Sequence, residues 1–145
     1  MQLFILRHAE AEPHASSDFA RNLTPTGRAQ LTQVANRHLQ ELGSISQVWV
    51  SPYVRTQQTL EHIRALMPAG VAIQTTEDLT PDSPVQLLIP LLEKSKGDKV
   101  LLAISYKGTP KKLQILLADS GFVILHTYLT PNEDYALVLC KPAKI

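Results

Sequence analysis

Hydrophobic positions along this chain follow two alternating rhythms. Leu3 to Leu6 is an unbroken apolar run, as expected of a strand covered on both faces in a parallel sheet. Thr24-Pro25 then offers a cap and a first-turn proline, and Leu31, Val34, Ala35, Leu39 and Leu42 recur at helical spacing up to Gly43, which predicts one amphipathic helix. Gln47 to Val50 reads as a second short strand. Ser51-Pro52 reads as the opening of a helix that carries Leu60, Ile63 and Met67 on one stripe and stops at Pro68 and Gly70. Val71 to Ile73 forms a third strand candidate. Ser83-Pro84-Val85-Gln86 has the Ser-x-x-Gln form of a capping box before Leu88 and Leu92, and Pro90 inside that pattern predicts a kinked or short helix. Val100 to Ile104 is the strongest buried-strand signal in the chain, and Thr109-Pro110 begins a helix through Leu113, Leu116 and Leu117. Phe122 to Tyr128 and Tyr135 to Leu139 flank Thr130-Pro131-Asn132-Glu133 and read as a hairpin or a pair of closing strands.

Strands that alternate with helices predict an α/β three-layer sandwich with a mainly parallel central sheet, whose ligands bind beyond the carboxyl ends of the strands. The 145 residues fit one domain spanning 1–145, with no linker or repeat. The expected edge collects Arg7-His8 after the first strand, Ser51 to Arg55 after the second, and Ser105-Tyr106 after the Val100 strand.

Composition narrows the classes. With 44% hydrophobic and 19% charged residues and a formal charge of +1, the chain reads as an ordinary soluble globule and not as a nucleic-acid binder. The single cysteine, Cys140, makes no intramolecular disulfide and no zinc cluster by itself, so a reducing compartment is expected. The opening apolar run lacks a basic leader and is too short for a signal sequence. No run approaches the roughly 20 apolar residues of a membrane helix, so a cytoplasmic protein with no membrane contact is expected.

Arg7-His8 alone is weak evidence, because such a pair after a strand is more often a surface ion pair. Arg55 shifts the balance. It falls in the first turn of a helix, where the positive terminus disfavours a cation by ~0.3–1 kcal/mol, so it makes most sense if an anion also sits there. The plain alternative is an outward, solvated arginine.

Three ordered segments carry a family resemblance: Met1 to Ala11 with Arg7-His8-Ala9-Glu10, Asp18 to Arg28 with Arg21-Asn22-Leu23-Thr24 and Gly27, and Val50 to Thr59 with Ser51-Pro52 and Arg55. Together they resemble the histidine phosphatase superfamily, also called phosphoglycerate-mutase-like, and most closely its small bacterial phosphohistidine phosphatases of the SixA type. The resemblance implies a minimal domain without large insertions, in which His8 is phosphorylated during turnover while Arg7 and Arg55 bind the phosphoryl group. It also matches Arg21 to a position that extends the phosphate pocket or meets the substrate protein, the plain alternative being an outer-loop ion pair with Asp18. No metal or cofactor is implied. The partner implied is a protein carrying phosphohistidine, taken by a monomer with an open site.

The sequence departs from the family at one position. Where the family has a second histidine after the late buried strand, this chain reads Ile104-Ser105-Tyr106-Lys107, so Tyr106, or Ser105 in a shifted register, takes its place as a substrate contact. A tyrosine donates a hydrogen bond but carries no positive charge near neutral pH, and loss of one preorganised donor commonly costs ~10²–10³ in rate. Lys107 is a substitute cation, and the competing reading is a phosphoryl-binding protein that turns over poorly or not at all. A small-molecule phosphomonoesterase ranks lower. His14, His38, His62 and His126 read mostly as surface residues. Among Glu77, Asp78 and Asp82, Asp82 is the candidate general acid. A metal site from His8, Glu10, Glu12 and His14 would need that segment to stay extended, which Pro13 opposes.

Overall fold

The computed structural model describes residues 2–105, 110–129 and 136–142. Four apolar runs become the parallel part of one six-stranded sheet: β1 (Gln2–Arg7), β2 (Gln47–Val50), β3 (Ala72–Thr75) and β4 (Lys99–Ile104). Two further strands, β5 (Phe122–Leu129) and β6 (Ala136–Pro142), complete the order β3-β2-β4-β1-β6-β5, with β6 antiparallel to both of its neighbours. The expected closing pair is therefore present, while the Thr130 to Glu133 segment that joins it lies outside the described residues. Helices α1 (Pro25–Asn36), α2 (Leu39–Leu42), α3 (Val54–Ile63), α4 (Leu88–Glu93) and α5 (Pro110–Asp119) fill the connections.

Side chains alternate across a strand, so a run apolar at every position feeds two cores at once. Phe4, Leu6, Val48, Val50, Leu101 and Ala103 point to one face and pack with Leu31, Ala35, Leu60 and Ile63 of α1 and α3. Leu3, Ile5, Trp49, Val100, Leu102 and Ile104 point to the other and pack with Leu88, Leu91, Leu92, Leu113 and Leu117 of α4 and α5. The predicted α/β three-layer sandwich with a mainly parallel sheet is the observed architecture.

Three local expectations are corrected. The helix expected from Thr24 to Leu42 is two helices, because His38 leaves helical geometry at φ −130° and ψ 29°. Its imidazole is buried, with Nδ1 2.7 Å from the Val34 carbonyl, so His38 is a structural pin and not a surface residue. The N–H groups of Arg37 and His38 turn to the carbonyls of Val34 and Ala35, and the bend delivers Leu42 and Ile45 to the core. The second helix begins at Val54 and not at Pro52, and Met67 lies beyond its end in extended backbone while remaining buried. The Ser83 hydroxyl donates to the Glu77 carbonyl and meets the Thr80 hydroxyl, and the helix it was expected to cap is a short α4 preceded by one tight turn. Pro90 sits in the first turn of that helix, where a missing N–H costs least.

Register aligns the carboxyl ends that matter. Arg7 of β1 pairs with Ile104 of β4, and Val50 of β2 pairs with Ala103 beside it. Beyond those ends, the His8 N–H donates to the Ile104 carbonyl at 3.2 Å, and the Ser51 N–H to the Ala103 carbonyl at 3.0 Å. The loop after His8 is held from the other side by α1. Gly27 leaves no room for a side chain there, since a Cβ would fall 2.2 Å from the Glu10 carbonyl oxygen.

Candidate active site

His8 stands one residue past β1, buried to 8% exposure. Its Nδ1 lies 2.7 Å from the Ala9 carbonyl, which only accepts, so the ring proton sits on Nδ1 and the lone pair on Nε2. Arg55 is completely buried and donates from Nε to that Nε2 at 3.1 Å. Burial is the main cause that lowers the His8 pKa from 6.5 to about 3; the positive charges of Arg55, Arg7 and Arg21 act in the same sense, against the bond to Ala9. His8 is therefore a neutral imidazole with its unprotonated Nε2 facing the Arg55 guanidinium.

That shift has a measurable consequence for stability. The unfolded chain takes up a proton at His8 near pH 6.5, whereas the native site refuses it until about pH 3. The folded pKa is the lower of the two, so this histidine costs stability progressively as pH falls below about 6.5 and costs nothing above it. At up to 1.36 kcal/mol per pH unit the loss between pH 7.5 and 5.0 is about 2 kcal/mol. In thermal melts at both pH values, His8→Asn is expected to lose less stability on acidification than the wild type; an equal loss would rule out this site as an acid-sensitive element.

Arg55 owes its position to the first turn of α3. Its Nη1 donates to the Asp18 carbonyl at 2.9 Å and lies 3.5 Å from the Asp18 carboxylate. The Tyr53 ring lies beneath it, 4.8 Å from the guanidinium carbon. One turn on, the Thr59 hydroxyl donates to the Arg55 carbonyl and receives the Ala9 N–H, tying α3 to the loop that bears His8. Burial lowers the Arg55 pKa, and Asp18 opposes the shift. Arg55 Nη2 is buried and finds no hydrogen-bond partner among the described residues, so a buried cation keeps a donor unspent. The solvated, outward arginine is excluded.

Arg7 is half-buried at the end of β1, where its charge acts on His8. Arg21 pairs with the Asp18 carboxylate at 3.0 Å and donates from Nε to the Glu12 carbonyl, and its charge also reaches His8. The ion pair expected of Arg21 with Asp18 is formed, and its guanidinium is near enough to His8 for its charge to be felt there.

Ser105 lies deeper. It is fully buried, its hydroxyl meeting those of Thr56 and Ser51, so it links the ends of β2 and β4 to α3 from beneath the site. Tyr106 and Lys107 lie outside the described residues. Asp82 is exposed on the turn before α4, while Asp78 lines a small cavity of about 30 Å³ with Ser105, Thr80 and Ile104. The Glu10 carboxylate receives the Thr24 hydroxyl, Glu12 receives Asn22, His8 is hydrogen-bonded to Ala9 and Arg55, and His14 is exposed, so the four residues weighed as metal ligands are not gathered into one cluster. Among the described residues no cluster of His, Cys, Asp or Glu has the makings of a metal site.

Sequence reasoning passed over Asp18 except as a partner for Arg21, and it passed over Tyr53 and Thr59. Thr59 had a signal, since it stands four residues after Arg55 on one helical face. The contact of Asp18 with Arg55, 37 residues on, had none.

The sequence profile of the histidine phosphatase superfamily, branch 1, matches residues 3–80. The chain is 36% identical to the phosphohistidine phosphatase SixA homolog of Haemophilus influenzae, over 73% of this chain and 70% of that one. It is 33% identical to the phosphohistidine phosphatase SixA of Escherichia coli K12, over 73% and 67%. In fold it is similar to the protein histidine phosphatase SixA complexed with tungstate, with a TM-score of 0.68 over 99% of this chain and 97% of that one at 24% identity.

Proposed function

The chain belongs to the histidine phosphatase superfamily, and from that premise we propose that it is a metal-independent phosphohistidine phosphatase, one domain spanning 1–145 that acts on a phosphorylated protein. The observation that carries this reading is the neutral His8, its Nε2 lone pair held 3.1 Å from the Nε of a buried arginine. A nucleophile of that kind needs no base to activate it, since the ring nitrogen is already unprotonated and its tautomer is chosen by Ala9.

In the first step Nε2 of His8 attacks phosphorus, the phosphorus–nitrogen bond to the substrate imidazole breaks, and a phospho-His8 intermediate forms. Arg55 gives up its contact with Nε2 and turns its donors to the phosphoryl oxygens, with Arg7 and Arg21 adding positive charge. Phosphoryl transfer asks mainly for positioning and charge stabilisation, which guanidiniums supply. In the second step water attacks phosphorus, the bond to Nε2 breaks, and inorganic phosphate leaves. A protonated imidazole leaves readily, so Asp82 or another acid is required less than it would be for a sugar alcohol. The named relatives at 33% and 36% identity support the choice of substrate.

The test is hydrolysis of a phosphohistidine substrate in the presence of a chelator. Turnover by the wild type sustains the proposal. Tyr106→His restores the cation that the family uses and is expected to raise kcat about ten- to a hundredfold, within the scale of one preorganised donor. No turnover by the wild type, together with strong turnover by Tyr106→His, would favour the second reading, a phosphoryl-binding regulatory protein. That reading rests on Tyr106 itself.

A further inference from the structure

Asp18 is an anion set among the cations of a site that must take an anion. Its carboxylate lies 3.0 Å from Arg21 Nη1 and 3.5 Å from Arg55 Nη1, so one side chain engages both guanidiniums. Its backbone does a separate job: the Asp18 carbonyl accepts from Arg55 Nη1 at 2.9 Å, and the next carbonyl, of Phe19, accepts from the Val54 N–H at 3.1 Å. The main chain therefore positions Arg55, while the carboxylate contributes charge.

We propose that the Asp18 carboxylate is an internal competitor of the substrate's phosphoryl group, holding Arg21 and Arg55 in the empty site and leaving them when phosphoryl oxygens arrive. This rests on the reading of Arg55 as a phosphoryl ligand. Three features make the exchange feasible. The Asp18 side chain is 33% exposed, so rotation carries it into water without moving the latched backbone. Its longer contact is the one to Arg55, the cation that borders the nucleophile. Arg55 also keeps the unspent Nη2 donor, which a phosphoryl oxygen can take and a one-sided carboxylate does not. The two arginines outweigh a single carboxylate, so the empty site stays positive; a phosphoryl group with close to two negative charges matches it better than the side chain it replaces. Asp18 thereby favours doubly charged phosphoryl groups over singly charged anions such as surface carboxylates.

The experiment is calorimetric binding of inorganic phosphate to the wild type, Asp18→Asn, Asp18→Ala and Arg55→Ala, with thermal melts of each. Both Asp18 variants keep the backbone carbonyl under Arg55. They are expected to bind phosphate about two- to fivefold more tightly, the scale of one partly exposed charge pair, and to show a matching fall in KM, with the melting temperature of the phosphate-free protein slightly lowered because the pair that held the arginines is gone. A side chain that merely positions the arginines would give weaker binding instead. If phosphate affinity is unchanged or weaker in the folded Asp18 variants while Arg55→Ala loses phosphate, the pocket stands and the competitor role is overturned. If Arg55→Ala binds phosphate as the wild type does, the reading of the pocket falls and this inference with it.

Discussion

His8→Ala is expected to fold and to hydrolyse phosphohistidine about 10⁴-fold more slowly or not at all, because the step it removes is formation of the covalent intermediate. Folding is protected because the His8 contact that continues the sheet is made by its backbone N–H to Ile104 and survives truncation of the ring. What the variant loses is a buried neutral nitrogen facing Arg55, for which no other histidine among the described side chains can substitute: His14 and His62 are exposed and His38 is committed to Val34. Rapid mixing with labelled phosphohistidine followed by an alkaline quench should trap label on the wild type and none on the variant. Label retained by His8→Ala would place the nucleophile elsewhere and end the assignment.

Arg55→Ala is expected to lower kcat by about 10³ or more, in the range of arginines that stabilise transferring phosphoryl groups. It should also weaken binding of oxyanions. Arg55 is completely buried and contacts His8, Asp18 and Tyr53, so its removal opens a cavity and leaves the Nε2 of His8 without its donor. Arg55→Lys separates charge from geometry. An ammonium keeps the charge but not the fork of donors that touches His8 and Asp18 together, so most of the loss should persist. Full activity in Arg55→Lys would reduce the role of Arg55 to that of a simple counter-charge.

The unbroken apolar runs at Leu3 to Leu6 and Val100 to Ile104 were enough to read a parallel sheet with both faces covered, since only such a strand tolerates hydrophobic side chains at every position. The same local order put Arg7-His8, Ser51 to Arg55 and Ser105 at strand ends, because the carboxyl end of a strand is a property of the chain's direction. The residues of three ordered segments, from Met1 to Ala11, Asp18 to Arg28 and Val50 to Thr59, carried the resemblance to the family. Bends were another matter. The break at His38 interrupts a sequence whose apolar spacing continues through Leu42, and it follows from where the imidazole and Leu42 must go once the core is assembled.

The pattern Ser-Pro-Tyr-Val-Arg located Arg55 in a first turn but left its direction open, and burial decided it: a guanidinium at 0% exposure is held inward by a carbonyl 37 residues earlier in the chain. The protonation state of His8 was equally out of reach, because desolvation is the largest cause and depends on everything packed around the ring. Thus the sequence by itself determined the alternation of strands and helices, their order, and which chemical groups stand at the strand ends. Only the tertiary structure decided that Asp18 engages both Arg21 and Arg55, that Ser105 turns beneath the site, and that His8 is neutral. Periodicity and motifs are local in the chain, whereas charge, burial and hydrogen-bond partnership depend on residues brought together from distant segments.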